Sequence, residues 1–297
     1  MIRELSNYEV HALHYELLMK DIVAAAEKLP PFPDIVWRVM SLVRKDAPTS
    51  EIEKVIACDQ AISAQILRLG SSTRFSRRRD QPCSLQEAIL LIGSKMLMQV
   101  VIAACASRYY LRSADRDGIE RELWEHSLSS GLMSGIISRW LRHKQILSIY
   151  TASLFHDLGK TVLNTYARIY LNTSLRQLIG DNLGTGAERR ALGIDHQELG
   201  GMIARNWNFP AVIVSAIEHH HNPQNAGTNR DVASIVYMTN ELVAAATVRN
   251  KPLQNRKAFD PETDGIFRDF GITRETADQF LADFAKSMEA MKKVISG

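Results

Sequence analysis

Apolar residues recur at helical spacing along almost the whole chain, and this periodicity constrains the fold more than any other feature. In residues 7–29, for example, Val10, Leu13 and Leu17 fall on one face of a helix. The prolines at positions 30, 31 and 33 then end that helix, because proline lacks the amide hydrogen that a helix needs. No hairpin turn flanked by alternating segments occurs in the sequence. The pattern therefore predicts an all-α protein.

Capping signals predict where several helices begin and end. Residues 50–53 (SEIE) and 84–87 (SLQE) have the sequence of capping boxes, and each precedes an apolar run. Asp59 is placed to cap the helix that follows it. Gly70 is expected to end that helix in a left-handed conformation.

The polar segment 112–118 predicts a boundary between two helical lobes. We expect an N-terminal helical extension at 1–20, an N-terminal helical lobe at 21–115 with a buried helix at 95–110, a second helical lobe at 116–250, and a C-terminal helical extension at 251–297. Loops are expected at 222–228 and 249–264, which contain Asn and Pro. The remaining helices are expected at 119–142, 146–158, 161–179, 187–206, 210–221, 229–247 and 273–294.

Charge and cysteine content argue against several classes of protein. Lys and Arg number 36 against 33 Asp and Glu, and the net charge of +3 is too small to indicate nucleic acid or a membrane. The three cysteines show no CxxC spacing, so neither a disulfide framework nor a cysteine zinc site is predicted. The N-terminus lacks the apolar core of a signal peptide, and no run approaches the ~18 apolar residues of a membrane span. We expect a soluble, cytoplasmic protein.

Histidine is concentrated in one part of the chain, since seven of the nine histidines lie between positions 126 and 221. The most informative segment is FHDLGK at 155–160. On a helix, His156 and Asp157 would point about 100° apart and could reach one cation. Imidazole is a borderline nitrogen donor, whereas a carboxylate supplies charge and can bridge two metals. Lys160 would lie on the same face as Asp157 and could hold a phosphate oxygen. A His-Asp pair by itself also occurs by chance.

Further histidines lie on other predicted helices, which favours a shared metal site over chance. They are His126, His196, His220 and His221. Helices of a bundle can each direct one or two ligands to a common interior point. His219 is expected to have a surface or supporting role, and His143 is expected to lie at a helix C-terminus, where the helix dipole favours it.

The order His…His-Asp…His…His-His resembles that of the HD superfamily of metal-dependent phosphohydrolases. The full pattern is similar to its HDOD branch, the HD-related output domain of bacterial signalling proteins, over roughly residues 22–250. Supporting motifs are LPPFP at 29–33, ILRLG at 66–70 and CSLQEAILLIG at 83–93, and the stretches 200–210 and 217–223 are also typical. Motifs from both lobes occur in the expected order, which makes the resemblance specific.

The resemblance implies a two-lobed helical HDOD fold with a C-terminal HD-like helical bundle and a cavity at the histidines. It also implies one or two divalent transition metals there, with iron or manganese favoured over zinc because the family's enzymes use such pairs. Carried over by position, the first metal would be held by His126, His156, Asp157 and Asn240, and the second by Asp157, His196, His220 and His221.

The chain departs from the catalytic pattern of that family at one ligand. Active HD enzymes have Asp at the last position, where this chain has Asn240. The amide is a neutral, weak oxygen donor, so the first metal loses a charged ligand. The Gly-Tyr-Pro signature of cyclic-dinucleotide hydrolases is also missing, because Asn222-Pro223-Gln224 follows His221.

Three functions of different classes remain open on the sequence. The first is a signal-transduction or output module with an unidentified signalling partner, a structural or sensory metal, and weak or no hydrolase activity. The second is a metal-dependent phosphohydrolase that acts on a nucleotide or cyclic nucleotide, with Asp157 and Lys160 as catalytic residues. The third is nucleic-acid binding through the loop Arg77–Arg79. A solvated loop is the favoured interpretation there, so a nucleic-acid partner is not expected.

Overall fold

The computed structural model describes residues 7–72, 82, 84–111, 118–175, 177, 184–248 and 260–295. Within these ranges the regular structure is helical and no strand occurs, so the all-α prediction is confirmed. The α-helices are α1 (Asn7–Glu27), α2 (Asp34–Arg44), α3 (Thr49–Ile56), α4 (Gln60–Gly70), α5 (Leu85–Tyr110), α6 (Ile119–Trp140), α7 (Ile146–Phe155), α8 (Leu158–Leu171), α9 (Thr185–Leu192), α10 (His196–Asn206), α11 (Ala211–Glu218), α12 (Arg230–Val248), α13 (Gly265–Asp269) and α14 (Arg274–Ile295).

The capping predictions have mixed outcomes. Ser84 accepts a hydrogen bond from the Glu87 amide at 3.1 Å, and Asp59 accepts one from an amide in the first turn of α4. The prediction for residues 50–53 is wrong, because α3 begins at Thr49, directly after Pro48, and has no side-chain cap. Helix α4 does end at Gly70, as predicted, but the prediction of a left-handed conformation there is wrong, since the φ of Gly70 is not positive. A Cβ at position 70 would lie 2.9 Å from that of Ala88, so the glycine instead lets α4 approach α5.

The predicted helix 187–206 is two helices, α9 and α10, and this correction decides where His196 lies. Gly193 adopts a left-handed conformation (φ 81°) that ends α9, a conformation that side chains other than glycine rarely adopt. Asp195 then begins α10 by accepting a hydrogen bond from the Glu198 amide at 3.0 Å. His196 is therefore the first residue of a new helix rather than a residue in the middle of a long one.

The His-Asp pair also lies between helices, and not on one helix as the sequence suggests. Helix α7 ends at Phe155 and α8 begins at Leu158, so His156 and Asp157 form the junction. The predicted helices 146–158 and 161–179 are shifted accordingly. The expected loop at 222–228 contains a 3₁₀ helix, Pro223–Asn229. Residues 112–117, most of the predicted lobe boundary, and residues 249–259 lie outside the described residues, as does the loop Arg77–Arg79.

Small residues allow the helices around the junction to pack closely. A Cβ at Gly131 on α6 would lie 2.9 Å from the ring of Tyr150 on α7. A Cβ at Gly159 would lie 2.2 Å from the backbone oxygen of His196, which makes a side chain at this position incompatible with the contact between α8 and α10. The glycine after the His-Asp pair is thus needed to bring His196 beside that pair.

A cluster of aromatic rings connects the α7–α8 junction to the N-terminal helices. Phe155, directly before His156, packs edge-on against Phe32, and their ring centroids are 5.4 Å apart. Trp207 stacks on Phe32 and donates a hydrogen bond to the Pro30 carbonyl at 3.0 Å. These contacts bury Phe32, within the predicted helix-ending segment 30–33, between elements from both halves of the chain.

Helix α5 meets the length and hydropathy criteria for a membrane span, contrary to the expectation that no segment would approach them. The mean hydropathy of its most apolar window is 2.0, and half of that window is buried within the protein. Core helices of soluble proteins have the same properties, so this feature is weak evidence for a membrane span.

A candidate metal centre

Side chains from six elements meet at the α7–α8 junction. They include every residue that the resemblance implies as a metal ligand, together with Lys160. His126 lies on α6, His156 and Asp157 at the junction, Lys160 on α8, His196 at the start of α10, His220 and His221 just after α11, and Asn240 on α12. His143 lies elsewhere and contacts Asp231 at 3.0 Å.

Asp157 lies at the middle of this cluster, and its two carboxylate oxygens face different histidines. Oδ2 is 3.5 Å from Nε2 of His156 and 3.7 Å from Nε2 of His126. Oδ1 is 3.4 Å from Nε2 of His196 and 3.8 Å from Nε2 of His220. Only 3% of Asp157 is exposed. The carboxylate therefore divides the cluster into two groups of candidate ligands.

The first of these, the His126 group, consists of His126, His156, Asn240 and Asp157 Oδ2. Nε2 of His126 lies 3.2 Å from Nε2 of His156 and 3.1 Å from Oδ1 of Asn240. When Nε2 of His126 carries a proton, this N–H can donate to both neighbours, Nε2 of His156 and Oδ1 of Asn240. The Asn240 contact can thus be made by hydrogen bonding alone.

The second, the His196 group, consists of His196, His220, His221 and Asp157 Oδ1. Nε2 of His196 lies 3.2 Å from Nε2 of both His220 and His221. The three ligand nitrogens lie within 4.8 Å of one another. Both His196 and His220 are fully buried.

Hydrogen bonds at the opposite side of each ring determine which nitrogen carries the proton. Nδ1 of His156 donates to the Ser153 carbonyl and Nδ1 of His220 donates to the Ile217 carbonyl, both at 2.8 Å. A carbonyl oxygen can only accept, so these two neutral rings present a lone pair at Nε2. Nδ1 of His196 lies 2.6 Å from the Glu188 carboxylate, which leaves its Nε2 as an acceptor as well.

The His196 group therefore fits a bound cation. Nε2 of His196 and Nε2 of His220 are both acceptors, so their 3.2 Å contact is not a hydrogen bond. Asp157 Oδ1, buried beside them, has no hydrogen-bond partner among the described residues. His221 Nε2 can donate to His196 Nε2 at 3.2 Å, but Nε2 of His220 and Oδ1 of Asp157 still face the same point as buried acceptors, which is costly without a positive charge between them. A divalent transition metal bound by nitrogen and carboxylate oxygen would satisfy these acceptors.

Burial keeps four histidines of the cluster neutral at pH 7, which is the form that binds metal, namely His126, His156, His220 and His221. It lowers the pKa of His126 to about 4 and the pKa of His221 to about 3. Burial also lowers the pKa of His156 and, further still, that of His220. For Asp157 burial alone would raise the pKa, but the neighbouring imidazoles and the Lys160 ammonium outweigh it and hold the pKa well below its usual range.

Lys160 binds Asp157 directly. Its Nζ donates to Oδ2 at 2.8 Å, on the side of the carboxylate that faces the His126 group. A fifth of the Lys160 side chain is exposed, whereas Asp157 is buried. The ammonium thus already provides a positive charge to the oxygen that the first metal would need.

Sequence reasoning missed one residue of this site, Glu188. It lies on α9, eight positions before His196, and its carboxylate contacts that ring. On one continuous helix, side chains eight positions apart are separated by more than two turns and do not touch. Only the turn at Gly193 makes the contact possible, and the sequence interpretation did not include that turn.

Comparison with known proteins agrees with this fold. The family model named HDOD domain matches residues 29–223. A search of curated proteins gives no match. Among solved structures, the chain is similar to an HDOD domain protein with unknown function from Geobacter sulfurreducens, with 21% identity, a TM-score of 0.70, and coverage of 95% of this chain and 98% of that one.

Two further solved structures share the fold at still lower identity. One is named "Putative phosphohydrolase" and comes from Shewanella amazonensis SB2B, with 16% identity, a TM-score of 0.63, and coverage of 92% of this chain and 96% of that one. The other is named "Putative signal transduction protein" and comes from Marinobacter aquaeolei VT8, with 18% identity, a TM-score of 0.69, and coverage of 95% of this chain and 66% of that one. Because the family model matches more than half of the residues, this chain belongs to the HDOD domain family.

Proposed function

We propose that this protein is a bacterial signal-transduction module of the HDOD type that binds one divalent transition metal firmly and has weak or no hydrolase activity. The observation that carries the proposal is the difference between the two ligand groups. The His196 group presents buried acceptors that need a cation. The His126 group can satisfy its contacts with one proton, and Lys160 already neutralises its carboxylate oxygen.

The neutral amide of Asn240 supports the same conclusion. A two-metal hydrolytic site needs both ions held firmly, at about 3.5–4 Å from each other. In the His126 group, Asp157 supplies the one carboxylate, and the Lys160 ammonium competes for its Oδ2. We therefore expect full occupancy at the His196 group and partial occupancy at the His126 group, with iron or manganese favoured over zinc. We also propose a cytoplasmic location and a protein partner in signalling.

A metal-dependent phosphohydrolase acting on a nucleotide or cyclic nucleotide is the alternative. It is favoured by the position of Asp157 between both groups and by the partly exposed ammonium of Lys160 beside them. Bound metal would supply Lewis acidity at a phosphoryl oxygen. Lys160 would pair with a phosphate oxygen, and Asp157 would hold the ligand groups in place.

Elemental analysis of the purified protein, combined with turnover of bis(p-nitrophenyl) phosphate, distinguishes these functions. The proposal expects about one metal per chain and turnover far below an ordinary enzymatic rate of about 1 s⁻¹. Two metals per chain with turnover at or above that rate would establish the hydrolase instead. Protein that takes up no metal after incubation with Fe²⁺, Mn²⁺ or Zn²⁺ would overturn both.

A further inference from the structure

Glu188 is a fully buried carboxylate, and among the described residues both hydrogen bonds to its side chain come from one candidate ligand, His196. It lies on α9, and 0% of the residue is exposed. Its Oε2 accepts two hydrogen bonds from His196, one from the backbone amide at 2.8 Å and one from ring Nδ1 at 2.6 Å. A single oxygen thus holds both the first residue of α10 and the orientation of its ring.

We propose that Glu188 is the positioning residue of the His196 group, and that its carboxylate sets the tautomer of His196 and strengthens Nε2 as a metal donor. This proposal rests on the proposed metal binding. An ionised carboxylate can only accept, so the proton of the ring is held on Nδ1 and the lone pair faces the metal position. A negatively charged partner at Nδ1 also makes the opposite nitrogen, Nε2, a stronger metal ligand.

The anchor of His196 differs in kind from the anchors of its neighbours. His156 and His220 donate from Nδ1 to the neutral backbone carbonyls of Ser153 and Ile217. His196 alone among these three donates to a charged side chain. His196 is also the ring nearest to Asp157 Oδ1, at 3.4 Å. Its strength as a metal ligand therefore matters most for a metal that Asp157 also binds.

The burial of Glu188 is consistent with a bound cation in the His196 group. Its second oxygen, Oε1, has no hydrogen-bond partner among the described residues. The adjacent Arg189 is directed to the surface, where it pairs with Asp195 at 2.7 Å and Glu198 at 2.9 Å. A buried carboxylate is costly unless positive charge lies near it. A divalent metal in the His196 group would supply positive charge close to both Glu188 and Asp157.

A purely structural role would make Glu188 a brace between α9 and α10. The hydrogen bond to the His196 amide is sufficient for such a brace and does not involve the ring. The substitution Glu188→Gln separates the two roles, because the amide oxygen can still accept from both N–H groups but carries no charge. Glu188→Leu removes the acceptor as well. Glu198→Gln is the matched control, since it makes the same chemical change on a partly exposed residue of α10.

The first measurement uses metal-free protein, so it does not depend on metal binding. Nitrogen-15 NMR of the histidine side chains reports which ring nitrogen of His196 carries the proton. We expect the Nδ1–H form in the wild-type protein and in Glu188→Gln, and a mixture of both forms in Glu188→Leu. An unchanged His196 tautomer in a folded Glu188→Leu protein would overturn the proposal, as would an Nε2–H form in the wild-type protein.

The second measurement is the affinity for Co²⁺, followed by its visible absorption and by competition with a chelator. We expect Glu188→Gln to bind Co²⁺ about 10- to 100-fold more weakly, as is usual when a partner of a ligating histidine is lost. Glu198→Gln should bind within about twofold of the wild-type protein. Equal affinity of Glu188→Gln and wild type would overturn the role of the charge. If the wild-type protein itself binds no Co²⁺, Mn²⁺ or Fe²⁺, the proposed function fails, while the NMR measurement still decides whether Glu188 sets the tautomer.

Discussion

Nε2 of His196 and Nε2 of His220 face each other at 3.2 Å, although both rings use Nδ1 as their donor elsewhere. Two lone pairs at this distance do not form a hydrogen bond, so the contact fits the position of a bound cation. The same reasoning does not apply to His126, whose Nε2 can donate to its neighbours. This difference between the two ligand groups underlies the predictions that follow.

The first prediction concerns metal content. His220→Ala removes one of the acceptors of the His196 group and should weaken metal binding by about 100-fold or more, beyond the loss seen for supporting residues. His126→Ala should retain most of the metal. His143→Ala, which alters a histidine outside the cluster, is the control. Elemental analysis after gel filtration checks all three, and a His220→Ala protein with full metal content would contradict the assignment of the His196 group.

The second prediction concerns Asn240. Asn240→Asp adds a carboxylate to the His126 group at a position 3.1 Å from Nε2 of His126. The added charge should raise the metal content towards two per chain and raise phosphodiesterase turnover. Asn225→Asp, which adds the same charge on the exposed 3₁₀ helix, should change neither.

The metal content and turnover of Asn240→Asp also show whether Asn240 alone limits hydrolysis at this site. An increase in both metal content and turnover would identify the protein as a weakened hydrolase reused in signalling. An increase in metal content without turnover would mean that further catalytic groups are missing. No change in metal content would contradict the role assigned to Asn240.

The third prediction concerns the contact between α8 and α10. The Cβ of Gly159→Ala would lie 2.2 Å from the His196 backbone oxygen, so the two helices must move apart. Overpacking of this kind costs about 1–3 kcal/mol of unfolding free energy. Metal affinity should fall as well, because His196 moves away from Asp157.

Gly186→Ala is the control for this substitution. Its nearest neighbour would be the flexible end of Arg190 at 3.4 Å, and alanine is favoured over glycine within a helix such as α9. The control should therefore be as stable as the wild type or slightly more stable. Chemical denaturation of metal-free protein measures both variants, and equal stability of Gly159→Ala and wild type would contradict the close packing described above.

The fourth prediction concerns pH. An unfolded histidine has a pKa of about 6.5, whereas burial lowers the pKa of His126 to about 4 and that of His221 to about 3 in the folded protein. Below pH 6.5 the unfolded chain therefore binds more protons than the folded chain. The unfolding free energy of metal-free protein should fall as pH decreases from 6.5 towards 4, by up to about 3 kcal/mol for a single such histidine.

Denaturation in the presence of a chelator between pH 7.5 and 5 checks this dependence. His221→Gln removes one of the histidines whose pKa is lowered, so the unfolding free energy should depend less steeply on pH. A free energy that stays constant across this range would contradict the neutral, buried state of the histidines.

The helical character of the chain follows from local sequence. Apolar spacing and the caps at Asp59 and Ser84 act between residues three or four positions apart, so they can be recognised without a tertiary structure. Local signals mislead where a neighbouring helix interferes. The sequence around Gly70 is typical of a left-handed helix C-terminus. In the structure, the absence of a side chain at Gly70 instead allows close contact with Ala88 on α5.

The candidate ligands, though not Glu188, could likewise be named from the sequence, because the types and order of the donors resemble those of the HDOD family. Their arrangement could not be named. The His-Asp pair lies at a helix junction, and each oxygen of Asp157 faces a different set of rings. That division depends on where α6, α10, α11 and α12 pack, which is a property of contacts between residues far apart in the chain.

What the sequence determined by itself, then, is an all-α chain with a set of nitrogen and oxygen donors suited to a transition metal. Which candidate donors lie together, which rings are held as acceptors, and that Glu188 contacts His196 were decided only by the tertiary structure. The physical reason is that proton positions and charge balance in a buried site depend on partners brought together by packing. The turn at Gly193 and the close contact at Gly159 create those partners, and neither leaves a periodic signal in the sequence.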